Sequence, residues 1–143
     1  MSPRDEVLDL LGRYCEAVLR FDLVAFRDCW AQDAVWVLPG DQPNVEGPDA
    51  CVELFGRLRG TFALCTQEIL SSVVEVAPDG RSADVRSVIR EAQWMPEGPG
   101  RLLVGIYHDA VVADDAGRWR FRRRRFEAWF RGAPDLTGRI YDR

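Results

Sequence analysis

Few side chains in this 143-residue chain can move a proton near neutral pH. Its only histidine is His108, within the run Gly105-Ile106-Tyr107-His108-Asp109. An imidazole ordinarily titrates near pH ~6.5, which suits general acid–base work. The surrounding residues 101–113 read as a strand, so Tyr107 and Asp109 point to one face and His108 to the other. Only one of these sets can enter a cavity. Either His108 is a base, or it is an exposed or interface histidine while Asp109 holds an arginine of the last strand. Glu91 is the second candidate. It shares a strand face with Val85, Ile89 and Gln93, whereas Arg86, Arg90 and Trp94 share the other. A carboxylate among apolar neighbours can serve as a base; the alternative is a rim residue paired with an arginine.

The densest charge lies in "RWRFRRRRFEAWFR", residues 118–131. Strict alternation puts Trp119, Phe121, Arg123, Arg125, Glu127 and Trp129 on one strand face. Arg120, Arg122, Arg124, Phe126, Ala128 and Phe130 fall on the other. Trp119 and Phe121 should look into the core, and Arg123 and Arg125 should follow them toward a cavity unless a bulge shifts the phase. A cavity arginine could bind a carboxylate, enolate or phenolate. The competing reading is a cross-strand ion-pair ladder at a sheet surface or dimer interface. A net charge of −4 argues against a third use, a grip on nucleic acid.

Other chemistries are excluded by composition. All 19 cationic residues are arginine, so no lysine can form a Schiff base. Cys15, Cys29, Cys51 and Cys65 form no Cys-x-x-Cys pair, and with one histidine they build no Cys/His zinc cluster. Each sits in an apolar pattern, which reads as a buried thiol. Neither a metal nor an organic cofactor is implied. No apolar run approaches the roughly 20 residues that span a bilayer. The N-terminus is charged and helix-like rather than signal-like. A cytoplasmic protein with free thiols is expected.

Elements that would position these groups are legible. Ser2-Pro3 opens a helix, with Val7, Leu10, Leu11, Tyr14 and Val18 at helical spacing, ending near Phe21. Asp22 caps a second short helix whose inner face carries Phe26, Cys29 and Trp30. "DAVWVLP" is a short strand, and "GDQPNVEG" a loop. Pro48 starts a third helix, stopped by Gly60. Residues 66–77, 82–94 and 101–113, and the arginine-rich stretch, then read as strands joined by turns. Helices followed by an antiparallel meander make an α+β pattern, one domain over 1–143.

Order and spacing of these pieces resemble the SnoaL-like branch of the nuclear-transport-factor-2-like superfamily. The likeness covers about residues 5–130. It rests on "RYCEAVLRFDLVAFRDCWAQDAVW", Glu46-Gly47, "GIYHD" and "GRWRFRRRR". The resemblance implies a cone: a curved, mostly antiparallel sheet packed on three N-terminal helices and enclosing a pocket, with a C-terminal tail at 131–143. It also implies homodimers through the outer face of the sheet, where Arg124, Phe126 and Phe130 would sit. In the dehydratase and dehydrochlorinase members an acid late in the first helix pairs with a histidine. Those positions fall at Leu19 and Gln67 here, so that dyad is missing, and Asp22 is a helix cap. Isomerase-like members use a tyrosine of the first helix as an oxyanion donor, which maps to Tyr14; core packing is its plainer role. Arg124 matches a recurrent arginine of the family and would pair with Asp109.

Two functions are consistent with these residues. One is a cofactor-independent isomerase or cyclase moving a proton on an apolar polyketide- or steroid-like carbonyl compound. His108 or Glu91 would be the base and Arg123 or Tyr14 the oxyanion partner. Trp36, Gln67, Trp119, Phe121 and Arg125 would bind the substrate. The other is a non-catalytic ligand-binding or accessory protein. Neither involves nucleic acid or a membrane.

Overall fold

The computed structural model describes residues 1–134 and 138–140. The predicted tail therefore falls partly outside the described residues. Helix α1 (Pro3–Arg20) starts where expected: Asp5 N donates to the Ser2 hydroxyl while the Asp5 carboxylate accepts from Ser2, a reciprocal cap. It ends at Phe21 in the left-handed region, φ 53°. Phe21 is held there by its ring, edge-on to Phe55 at 5.9 Å and beneath the Arg59 guanidinium at 5.1 Å. Val7, Leu10, Leu11, Tyr14, Ala17 and Val18 form the buried stripe.

Asp22 caps α2 (Leu23–Asp28), its Oδ1 accepting from Ala25 N at 3.0 Å. Trp30 is not on that helix. It opens strand β1 (Trp30–Val37), because Cys29 O already accepts from Phe121 N at 2.7 Å and sheet pairing starts at once. The expected loop contains a two-residue strand, β2 (Val45–Glu46), and α3 (Pro48–Arg59) follows. Four long strands complete the meander: β3 (Leu64–Val76), β4 (Ser82–Trp94), β5 (Arg101–Ala113) and β6 (Trp119–Gly132). A short β7 (Gly138–Ile140) pairs with β6.

The sheet runs β2-β1-β6-β5-β4-β3 and stays open. All pairings are antiparallel except β1 with β6. Its concave face wraps the helices around an aromatic core in which Phe26 stacks on Phe55 at 3.9 Å and Tyr14 meets Phe26, Trp30 and Phe121. Register shifts interrupt the β3–β4 and β5–β6 pairings, and the one opposite Ala110/Val111 matters most. Ala110 pairs with Arg123 and Val111 with Phe121, so Arg122 is the extra residue of a bulge. Beyond it the inward positions are Arg124 and Phe126, not Arg123 and Arg125.

Candidate active site

Between α1, α3 and the concave sheet lies a cavity of about 310 Å³. Trp36, Phe55, Phe62, Ile89, Leu103 and Phe126 supply most of its apolar wall. Phe126 reaches across β5 because Gly105 has no side chain: a Cβ there would come within 2.5 Å of its ring.

One side of the cavity is polar, and sheet register explains why. Gln67, Glu91, Leu103 and Arg131 are successive cross-strand neighbours on the concave face of β3, β4, β5 and β6. Cys65, Gln93 and Arg101 form the adjacent row. Gln67 Nε2 donates to Glu91 Oε1 at 2.7 Å, and Gln93 Nε2 donates to Oε2 at 2.5 Å. Glu91 is thus oriented by an amide on each oxygen, and each oxygen keeps acceptor capacity toward the cavity. Among the described lining residues it is the one carboxylate.

Two phenols also line this space, Tyr14 from α1 and Tyr107 from β5. Gln67 Nε2 approaches the Tyr107 hydroxyl at 3.5 Å. Burial pushes both phenol pKa values up, and the Glu91 charge adds to the rise. Both therefore stay neutral and serve as proton donors in hydrogen bonds at physiological pH.

Beneath them sits the Arg124–Asp109 pair, 3.0 Å from Nε to Oδ1, with side chains 3% and 0% exposed. The guanidinium is boxed by the rings of Tyr107, Tyr14 and Phe121 at 3.7, 4.2 and 4.3 Å. Burial raises the Asp109 carboxyl to about 6, against the pull of Arg124, which favours its charged form. Arg124 is held firmly in its cationic form by Asp109. The pairing of these two residues agrees with the sequence expectation, but their place on the concave face does not suit Arg124 or Phe126 for a dimer surface; Phe130 remains on the outer face.

Of the candidates named from sequence, Tyr14, Trp36, Gln67 and Glu91 converge on the cavity. His108 does not. It faces outward, its Nε2 3.8 Å from Glu127 Oε2, and burial and Arg125 lower its pKa. Arg123 and Arg125 also leave the concave face, since the bulge at Arg122 reverses their phase. Trp119 and Phe121 pack in the core rather than on the cavity wall, Trp119 Nε1 donating to Glu6 Oε2 at 3.0 Å. Leu19 is 43% exposed, and its neighbour Val18 lines the cavity, so that turn of α1 offers no acid. Arg59, Arg101, Arg131 and Tyr107 line the cavity without having been singled out as its binding groups. Register could have found Tyr107, which shares a face with Asp109. Alternation along 101–113 puts Arg101 on that face as well, whereas the inward phase of Arg131 follows a second bulge, at Trp129, that the sequence does not announce.

The four thiols are unpaired, and burial raises Cys29 to about 11 and Cys51 and Cys65 to about 12, so none is an activated nucleophile. Among the described residues no three histidine, cysteine or carboxylate side chains cluster as metal ligands. None of the described helices is long and apolar enough to cross a membrane.

A curved sheet around three helices, with a cavity of this placement, defines a recognisable class. Residues 1–125 match the SnoaL-like domain, and the chain belongs to that family. Several solved structures share the fold. A protein provisionally named scytalone dehydratase from Novosphingobium aromaticivorans superposes with a TM-score of 0.83 at 19% identity, covering 97% of this chain and 91% of the other. The hexachlorocyclohexane dehydrochlorinase LinA-type3 from Novosphingobium barchaimii gives 0.80 at 16%, covering 98% and 94%. ActVI-ORFA from Streptomyces coelicolor gives 0.70 at 16%, covering 87% and 96%. At these identities the likeness is one of fold. No curated protein sequence matches the chain.

Proposed function

We propose that the protein is a cofactor-independent enzyme that moves a proton on an apolar cyclic carbonyl compound, with Glu91 as the base. The observation that carries this reading is Glu91 itself: a carboxylate on the wall of an otherwise largely apolar cavity, fixed by Gln67 and Gln93. A base fixed in this way is placed to take a proton from a carbon beside a carbonyl. The negative charge that develops on the carbonyl oxygen needs a donor, and the neutral phenols of Tyr107 and Tyr14 provide one or two. Tyr107 then takes the oxyanion role that sequence had divided between Tyr14 and Arg123. Arg124, held under both rings by Asp109, adds positive potential below the developing oxyanion. The aromatic wall suits a flat ring system, polyketide- or steroid-like. Family membership supports a small-molecule substrate in general terms.

Loss of the dehydratase-type acid and histidine at Leu19 and Gln67 favours a second reading, a ligand-binding protein on the same scaffold. The two differ in one measurement. Incubated with 2-tetralone or 5-androstene-3,17-dione in D₂O, an enzyme of the proposed kind exchanges the acidic α-protons faster than buffer, seen as loss of their NMR signals. Binding of the same ketones without accelerated exchange would establish the second reading.

A further inference from the structure

The cavity that presents Glu91 carries more positive than negative charge. Three guanidinium groups line it, those of Arg59, Arg101 and Arg131, against one carboxylate among the described lining residues. Arg59 is spent on the fold: its Nε donates to Val18 O at 2.8 Å, Nη2 to Leu19 O at 3.1 Å and Nη1 to Phe62 O at 3.3 Å. It neutralises the last carbonyls of α1 and has little left to offer a ligand.

Arg101 and Arg131 are placed differently. Neither has an ion pair among the described residues. The Arg101 guanidinium lies 5.8 Å over the Phe62 ring, and its Nε is buried with no hydrogen-bond partner. A buried donor left unbonded is costly, and a cavity-lining one can be satisfied by a ligand. Glu91 makes no ion pair with it; its oxygens accept from Gln67 and Gln93 instead. Leu103 pairs with Arg131, so the two arginines are diagonal neighbours on adjacent strands, within reach of one small group. Arg131 is exposed and marks the solvent side of the cavity.

We infer that Arg101 and Arg131 bind the anionic group of the ligand, and that the substrate is an apolar ring compound bearing one carboxylate. Forked guanidinium donors match a carboxylate better than any neutral group. The carboxylate sits at the arginines and the ring body lies against Trp36, Phe55 and Phe126. Glu91, in the same cross-strand row as Arg131 and one row from Arg101, then meets the middle of the molecule. This rests on the reading of the cavity as a substrate site and narrows what that site accepts.

The test compares naphthalene-2-carboxylate with its neutral isostere naphthalene-2-carboxamide by titration calorimetry at low salt. The carboxylate is expected to bind about tenfold tighter or more, and added salt is expected to reduce the gap. In the Arg101→Gln/Arg131→Gln double variant the preference should fall to within about twofold, with the ring still bound. ¹⁵N-arginine spectra of the unaltered protein give a check that needs no variant: the Arg101 Nε–H signal should move with the carboxylate and not with the amide. Equal affinity of the two probes, binding of neither, or a preference that survives the double substitution would overturn the inference. The Glu91→Gln variant separates this from the enzymatic reading: it should keep the charge preference. A preference retained in a protein that exchanges no α-protons would leave the anion site standing and remove the base.

Discussion

At the scale of single residues, the chemistry of the cavity depends on which side chains face inward. Glu91 and His108 were equal candidates as a base, and two neighbouring strands separate them: Glu91 falls on the concave face of β4 and His108 on the convex face of β5. Replacing His108 by Gln should therefore leave proton exchange within about twofold of the parent protein, measured under the same conditions. Arg124 makes a different prediction. It is the counter-charge to a fully buried carboxylate, and removal of one partner of such a pair costs about 3–5 kcal/mol. Arg124→Met should lose that much stability at pH 8, read from urea midpoints. The loss should shrink toward pH 5. Without Arg124 the Asp109 carboxyl titrates above its present value of about 6. A folded-state pKa raised over the ordinary 3.8 gives stability that is whole below pH 3.8 and lost as pH rises through the folded value. A loss that grew with acidity would contradict the assignment of Asp109 as the group left stranded.

At the scale of elements, the strands were readable, and so was the phase of β4 and β5; the phase of β6 was not. Capping at Ser2 and Asp22, the stop at Gly60 and the turn at 78–80 all follow from local chemistry, and β4 and β5 begin and end where alternation places them. β6 is another matter. Its first inward pair, Trp119 and Phe121, follows from hydrophobicity, but the extra residue at Arg122 inverts the phase from Arg123 to Ala128, until a second extra residue, Trp129, restores it. Four consecutive arginines give no local signal for where a bulge sits, since any of them could be the extra one. Burial of Arg124 against three aromatic rings and Asp109 settles the phase, and that is tertiary information. The second feature set at this scale is Gly105. An added methyl would meet Glu127 O and the Phe126 ring far inside contact distance. Gly105→Ala should cost about 1–3 kcal/mol in chemical denaturation and displace Phe126 from the cavity wall. An unchanged stability would mean that Phe126 does not cross the strand as described.

At the scale of the whole molecule, helices first and meander second gave the architecture, and the family resemblance gave the cone. What sequence could not supply was the cavity's electrostatics, which depends on Arg101 at the start of β5 meeting Arg131 near the end of β6, a register set by the bulges of β6. The convex face of the sheet carries half-buried Val88, Val104, Ile106 and Phe130, with none of the described helices packed over it. A homodimer through this face is expected, so light scattering should give twice the chain mass of 16.3 kDa. Phe130→Glu should shift the protein to a single chain mass. A parent protein that scatters as one chain at micromolar concentration would contradict the dimer.

The central claim is that Glu91 abstracts a proton inside the cavity. It is tested most directly by α-proton exchange of a bound cyclic ketone in D₂O, followed by NMR for the parent protein, Glu91→Gln and His108→Gln side by side. Exchange should be about 100-fold slower or more in Glu91→Gln, at unchanged fold and ketone affinity, and nearly normal in His108→Gln. Exchange that survives the loss of the Glu91 carboxylate, or that vanishes with His108 instead, would contradict the claim.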